Sequence, residues 1–285
     1  MKILAYGEVL FDVFGVEERI GGAPFNFSAH MARLGASVDL MTAVGNDLRA
    51  NQVRVYMRMY ALYEHLLAQV DEPTGICNVK LDSKGVPSYD LVKPAAWDVI
   101  PWQPMVKERQ YDLLYFGTLS QRSSVSAKTL CRVCEEVQAK RVLFDCNIRQ
   151  PYVTKTALSN GLYRCTHLKV SREEAPIFAE FGLAPVYKDE SRREWCQAIA
   201  KKFGIDQVML TLDSDGAAVY VSDFDAWYER EGERVPVKST VGAGDSFAAA
   251  YMASQMQGDS IELSLDRAVM LSSEVVQSAS IFPEE

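Results

Sequence analysis

Apolar and polar positions alternate along this chain in short blocks whose period changes, and those blocks predict its elements. Residues 2–7 are apolar and close at Gly7, as a buried strand does. A helix is predicted from Pro24, whose missing N–H costs least in a first turn, to Leu34, with Gly35 as its stop. Ser37–Val44 reads as a strand, and Arg49–Gln69 as one long helix with Val55, Met59, Leu62 and Leu66 along its packed side. A hairpin is predicted from Ile76–Leu81 and Val86–Val92 about a turn at Asp82–Gly85, with residues 94–98 returning the chain to the main sheet. From Tyr111 onward, strands at 113–116, 142–146 and 167–170 alternate with helices at 123–139, 154–164 and 173–181. That alternation predicts parallel βαβ units with right-handed crossovers, hence an α/β fold. Short strands and turns to Val237 and a last helix over about 262–280 complete the pattern. Ligands of such sheets bind outside the carboxyl ends of the strands, where Gly117, Asp145, Asn147 and Arg149 fall.

Bulk properties narrow the partners. At 285 residues the chain suits one large α/β domain or two small ones. A net charge of −8 argues against nucleic acid and anionic membranes, which call for a basic face, but leaves room for a nucleotide held locally. No apolar run is long enough for a bilayer, and Glu8 comes too early for a secretory signal, so the cytoplasm is expected. The six cysteines are scattered, and Cys131-Arg132-Val133-Cys134 reads as two small residues on one helix face. Three histidines, far apart, support neither a metal site nor a Ser-His-Asp arrangement.

The chemistry concentrates in Ser239-Thr240-Val241-Gly242-Ala243-Gly244-Asp245-Ser246-Phe247, followed by a small, apolar run from Ala248 to Ala253. Two glycines before such a run predict a loop entering a helix, where backbone can approach a ligand closely. Unpaired N–H groups and the positive dipole end make that start a seat for phosphate. Asp245 there either caps the helix or takes a proton from a hydroxyl attacking the phosphate; residue chemistry alone supports both equally. No GxGxxG follows the first strand and no GxxxxGK[ST] is present, against a dehydrogenase and a P-loop enzyme.

This stretch resembles the C-terminal D-T-x-G-A-G-D signature of the ribokinase-like (PfkB) sugar kinases. Gly21-Gly22-Ala23-Pro24-Phe25-Asn26, with Ala29 and Ala32-Arg33-Leu34-Gly35, is similar to the family's N-terminal signature in its fructokinase form, G-G-A-P-x-N. Between them, Gly7-Glu8-Val9-Leu10-Phe11-Asp12 resembles G-E-x-L-x-D, Val44-Gly45-Asn46-Asp47 resembles V-G-D-D, and Asp145–Arg149 resembles D-x-N-x-R. Ser171-Arg172-Glu173-Glu174 resembles the N-x-x-E motif in an S-x-x-E variant, and Val208–Ala217 the strand and turn flanking the nucleotide.

The resemblance implies a three-layer α/β/α sandwich with a mostly parallel sheet, one domain over 1–285, and a small β lid from about 8–21 and 74–96 that often forms a homodimer surface. It implies an ATP-dependent kinase acting on a hydroxymethyl oxygen of a ketose, fructose first; ribose, 2-keto-3-deoxygluconate, a nucleoside or a sugar-sensing role are the alternatives. Asp245 would be the base, beside the N–H groups of Gly242, Ala243 and Gly244. Asp12, Gly22, Asn26, Asn147 and Arg149 would hold the sugar, with Arg149 shared between sugar and triphosphate. Ser171, Thr211, Asp213, Gly216, Gly242 and Gly244 would bind ATP, the last helix covering the adenine, and Glu174 would hold Mg²⁺, largely through water. Three departures stand out: Phe25 replaces a small residue and could narrow the sugar pocket or stack on the sugar, Asp213 replaces a glycine, and Ser239 replaces the aspartate that helps bind K⁺ in relatives, which weakens any K⁺ site.

Overall fold

The structure, a computed structural model, describes residues 1–81 and 87–278. The expected turn at Asp82–Gly85 and the end of the last helix beyond 278 lie outside them. In chain order the first elements are β1 (Lys2–Tyr6), β2 (Leu10–Phe14), β3 (Glu17–Gly21), α1 (Ala23–Arg33), β4 (Ser37–Val44), α2 (Leu48–Met59) and β5 (Leu67–Gln69). Then come β6 (Gly75–Leu81), β7 (Pro87–Leu91), β8 (Gln110–Gly117), α3 (Ser124–Glu136), β9 (Gln138–Asp145), α4 (Lys155–Leu162), β10 (His167–Ser171) and α5 (Ala175–Glu180). The chain continues through α6 (Arg192–Phe203), β11 (Gln207–Thr211), β12 (Ala217–Val221), β13 (Ala226–Arg230), α7 (Ala243–Gln257) and α8 (Ile261–Val276).

Nine strands form the main sheet in the order β13-β12-β11-β10-β9-β8-β1-β4-β5. All neighbouring pairs from β11 to β5 are parallel, and β12 and β13 are added antiparallel at the edge. Successive strand residues feed opposite layers, as the two-residue period of a strand requires. Leu4, Tyr6, Leu114 and Phe116 join the core under α3–α6, whereas Ile3, Ala5, Leu113 and Tyr115 join the core under α1, α2, α7 and α8. The three-layer α/β/α expectation therefore holds. A second, four-stranded sheet, β3-β2-β6-β7, stands apart from the first and is built from the two segments expected to form the lid.

The sequence pattern named no helix where α6 lies, and the long helix over 49–69 is broken. The helix read over 49–69 ends at Met59, Ala61 takes φ 55°, and Leu67–Gln69 becomes strand β5. Its packed side is Ala50, Val53 and Met57, while Val55 and Met59 are 54% and 65% exposed. The chain there offers two apolar stripes offset around the helix, and no Gly or Pro marks the break. Asp47 decides where α2 begins. Its carboxylate accepts from the Ala50 N–H at 2.9 Å and from the Thr74 N–H and hydroxyl at 2.8 Å each, so one side chain caps the helix and pins the entry to β6.

The sheet tolerates little added volume. A Cβ on Gly161 in α4 would lie 2.4 Å from the ring of Phe144, which is fully buried and stacked on Phe116 at 5.3 Å. Gly161→Ala gains helix propensity of about 1 kcal/mol against an overpacking cost of about 1–3 kcal/mol. Urea denaturation should show a net loss of stability; a midpoint equal to or above the parent's would contradict the packing described.

Candidate active site

Two cavities meet at the carboxyl edge of the main sheet. The smaller, about 280 Å³, lies between that edge and the smaller sheet, and the larger, about 810 Å³, lies between β10, β11 and α8. Asn147, Arg149, Lys169, Thr240 and Gly244 line both, so the two adjoin. The smaller opens where the strand order reverses, between β1 and β8, the place such sheets offer to ligands.

Close backbone approaches shape the smaller cavity. Gly7 has no room for a side chain because a Cβ would meet Pro24 Cγ at 2.6 Å, and at Gly22, with φ 105°, it would meet the Glu8 carbonyl at the same distance. The turn after β1 and the start of α1 are thereby locked together. Gly21 leaves space for Asp12, whose Oδ2 would lie 2.8 Å from an added Cβ. Asp12 accepts a hydrogen bond from the Cys77 thiol, and burial pushes its carboxyl up to about 6 against that bond and the charges of Arg149 and Arg19. Asp12, Gly22, Asn26, Asn147 and Arg149 all line this cavity. Phe25 does not. It is fully buried behind α1, edge-on to Tyr60 at 6.0 Å, and so neither narrows the pocket nor stacks on a sugar.

Asp245 stands on the first turn of α7 and lines the same cavity. Gly242 at the helix start takes φ 84° and offers no side-chain cap, which leaves first-turn N–H groups for a ligand. Asn26 Nδ2 donates to Asp245 Oδ2 at 2.8 Å across the cavity. Burial, then the charge of Asp145, pushes the Asp245 carboxyl up to about 6, while the Asn26 bond, Lys169 and Arg149 hold it down. Beneath this turn Lys169 Nζ donates to Asp145 Oδ1 at 2.9 Å, and the Tyr115 hydroxyl donates to Asp145 Oδ2 at 3.2 Å. Burial opposes the charge on Lys169, yet Asp145, Glu174 and Asp245 together raise its pKa. A Cβ on Gly244 would meet Lys169 Nζ at 3.0 Å, so the glycine lets the ammonium come up against the helix start.

Ser171, Thr211, Asp213, Gly216, Ala243, Gly244 and Glu174 line the larger cavity, and Val269, Ser272 and Val276 of α8 close it opposite. Ser171 and Glu174 form a reciprocal pair: the Ser171 N–H donates to Glu174 Oε2 at 2.8 Å, and the Glu174 N–H to Ser171 Oγ at 3.3 Å. That is capping-box geometry. Glu174 Oε1 also accepts from the Ile148 N–H at 2.5 Å, so its two oxygens join the turns after β9 and β10. Each oxygen keeps one lone pair, which could accept from water on a hydrated Mg²⁺. Asp213 has φ 51°, which explains why a glycine suits that position, and Glu173 hydrogen-bonds its carboxyl and pushes it up to about 6. At Gly216, with φ 103°, a Cβ would lie 2.0 Å from the Arg230 carbonyl.

Sequence reasoning assigned no role to Glu8 or Lys169, and placed Asp145 only at the strand ends where ligands bind. The signal that marks all three is charge buried in or beside the cleft. Among the described residues no group of three or more metal-ligating side chains forms, and the six cysteines are free.

The model of the pfkB family of carbohydrate kinases matches residues 2–281. A fructokinase of Salmonella typhimurium is 25% identical over 269 residues, covering 89% of this chain and 84% of that protein. A 5-dehydro-2-deoxygluconokinase of Geobacillus thermodenitrificans is 23% identical over 277 residues, covering 92% and 79%. Among solved structures, Xylella fastidiosa fructokinase with bound ATP superposes with a TM-score of 0.84 at 20% identity, covering 98% of this chain and 93% of that one. With a family match along nearly the whole length and a helix start, a buried carboxylate and two adjoining cavities at the sheet edge, the chain belongs to the pfkB family of carbohydrate kinases and is a sugar kinase.

Proposed function

We propose that the protein transfers the γ-phosphoryl group of ATP to a hydroxymethyl oxygen of a ketose, with fructose as the substrate. The observation that carries this reading is the position of Asp245, a buried carboxylate at the helix start where the two cavities adjoin. The sugar would occupy the smaller cavity with Asp12 on its vicinal hydroxyls, since a carboxylate can accept from two at once. ATP would occupy the larger, its terminal phosphates on the N–H groups of residues 242–245. Asp245, aimed by Asn26, would take the hydroxyl proton as the oxygen attacks phosphorus, while the N–H groups and Lys169 stabilise the charge gathering on the phosphoryl oxygens. Mg²⁺, held through water near Glu174, would neutralise part of the triphosphate charge. Pairing of two copies through the smaller sheet belongs to the same reading; Val16 and Tyr89 are exposed there. A coupled ADP-release assay across fructose, ribose, 2-keto-3-deoxygluconate and nucleosides tests the assignment. Fructose should give the highest kcat/KM, and a higher value for any other acceptor would replace it.

Asp245→Asn should bind both substrates and lose roughly 10²–10⁴-fold in kcat, the usual worth of a general base. Because the base must be ionised, kcat/KM of the parent should fall as pH drops through about 6. Near-normal turnover in a stably folded variant would reduce Asp245 to a helix cap.

Asp12→Ala should raise the sugar KM by tenfold or more, since an unpartnered hydroxyl costs ~1–3 kcal/mol, and leave the KM for ATP nearly unchanged. Asn26→Ala should raise the sugar KM too, and its bond to Asp245 adds a second effect, a lower kcat. Equal changes for sugar and ATP would place both residues outside the acceptor pocket.

The last expectation concerns K⁺. Ser239 Oγ accepts from the Val241 N–H at 3.2 Å, giving the loop a neutral oxygen where relatives resembling this chain place a carboxylate. Charge count is a main lever on hard-cation affinity. Titrating K⁺ into a Tris-buffered assay should produce weak activation, and Ser239→Asp should strengthen it. Saturable activation of the parent at low millimolar K⁺ would contradict this.

A further inference from the structure

Glu8 follows β1 and is 2% exposed, yet it lines the smaller cavity. Its carboxyl is hydrogen-bonded by its own backbone N–H and, more weakly, by that of Ala23 at the start of α1, where Gly22 supplies no side-chain cap. Its other oxygen, Oε2, has no partner at all. A buried carboxyl oxygen without a partner is costly, and native proteins keep few of them outside functional positions. Capping α1 accounts for one oxygen only.

The surroundings say what the other would meet. Leaving aside the residues shared with the larger cavity, the lining of the smaller one holds three carboxyl groups, Glu8, Asp12 and Asp245, and no Lys or Arg. Its cations, Arg149 and Lys169, both lie on the shared wall, and Lys169 is already bonded to Asp145. A substrate carboxylate placed among those acids would be repelled, whereas hydroxyl groups would find acceptors. Burial, then the charge of Asp245, pushes Glu8 up to about 7, so near neutrality it can present either a lone pair or a proton to a hydroxyl.

We propose that Glu8 is a substrate-binding residue whose free Oε2 takes a hydroxyl of an uncharged sugar, and that it selects such a sugar over a sugar acid. This rests on the sugar-kinase reading of the smaller cavity. Two variants separate binding from capping. Glu8→Gln keeps an oxygen for the Ala23 N–H and replaces the free oxygen by an amide nitrogen; Glu8→Ala removes both. The assay measures ADP release with fructose and with 2-keto-3-deoxygluconate, beside thermal melting of each protein. In Glu8→Gln the KM for fructose should rise about tenfold with the KM for ATP within about twofold. The ratio of kcat/KM for fructose to that for the acid should fall by a similar factor, and Glu8→Ala, if folded, should show at least the same loss. A fructose KM within about twofold of the parent's in folded Glu8→Gln would make Glu8 a cap alone and overturn the proposal. Parent activity on fructose in the same assay keeps that failure distinct from a failure of the kinase reading, which would show as no ADP release by the parent with either acceptor and would sink both.

Discussion

A helix start without a side-chain cap leaves N–H groups that a ligand or water can satisfy, and the cleft is built outward from that constraint at α7. The helix reaches this position because it is sheathed on nearly every side. Phe247 through Ala253 are all buried, and the three alanines at 248–250 let α1 and α8 approach its backbone. Its first turn is thus delivered to the ends of β1, β9 and β10 by packing and has little freedom to retreat. The loop before it needs positive φ at Gly242 to make the entry, and Gly244 must stay bare for Lys169 to reach the same point.

The electrostatics follow from what surrounds that turn. Lys169 and Asp145 have side chains 7% and 0% exposed, and an ion pair so placed is strongly destabilised when one partner is lost, by ~3–5 kcal/mol. Tyr115 fills the other oxygen of Asp145 and is itself held by stacking on Phe27, with ring centroids 4.0 Å apart. Asp145 serves two neighbours in opposite senses. It keeps the ammonium charged beneath the first turn of α7, and its negative charge adds to burial in raising the Asp245 carboxyl. Asn26 then limits that effect by donating to the carboxylate.

How much of this the sequence carries depends on whether a feature is local. The G-A-G-D turn, the glycine pair at 21–22, the strand–helix alternation after Tyr111 and the acids at 12 and 245 are written in residues adjacent in the chain, and they were legible. Glu8 and the Lys169–Asp145 pair were not, because their meaning comes from burial and from contacts between residues 24 positions apart in the pair's case. Phe25 was misjudged for a related reason: its motif position points to the cavity wall, but the first turn of α1 rotates Asn26 toward the cavity and Phe25 into the core. The false continuation of α2 had another cause. A helix that ends without Gly or Pro, with apolar residues on both sides of the break, looks periodic through it. In Ser171–Glu174 the reciprocal hydrogen bonds leave the glutamate oxygens one lone pair each, so the pair can fix the turn and still meet a further donor.

The three carboxyl groups of the smaller cavity set the protein's foldedness against its turnover. Asp245, Asp12 and Glu8 all have folded-state values above those of an unfolded chain, pushed up to about 6, 6 and 7. The native state therefore binds more protons than the unfolded chain between about pH 4 and pH 7, and stability from these groups falls as pH rises through that window. On the proposed role of Asp245, catalysis would run the other way, because the base must be bare. At the pH where this site works, it is strained by its own negative charge, and a sugar that gives those oxygens hydrogen atoms to hold would tighten the whole fold as it binds.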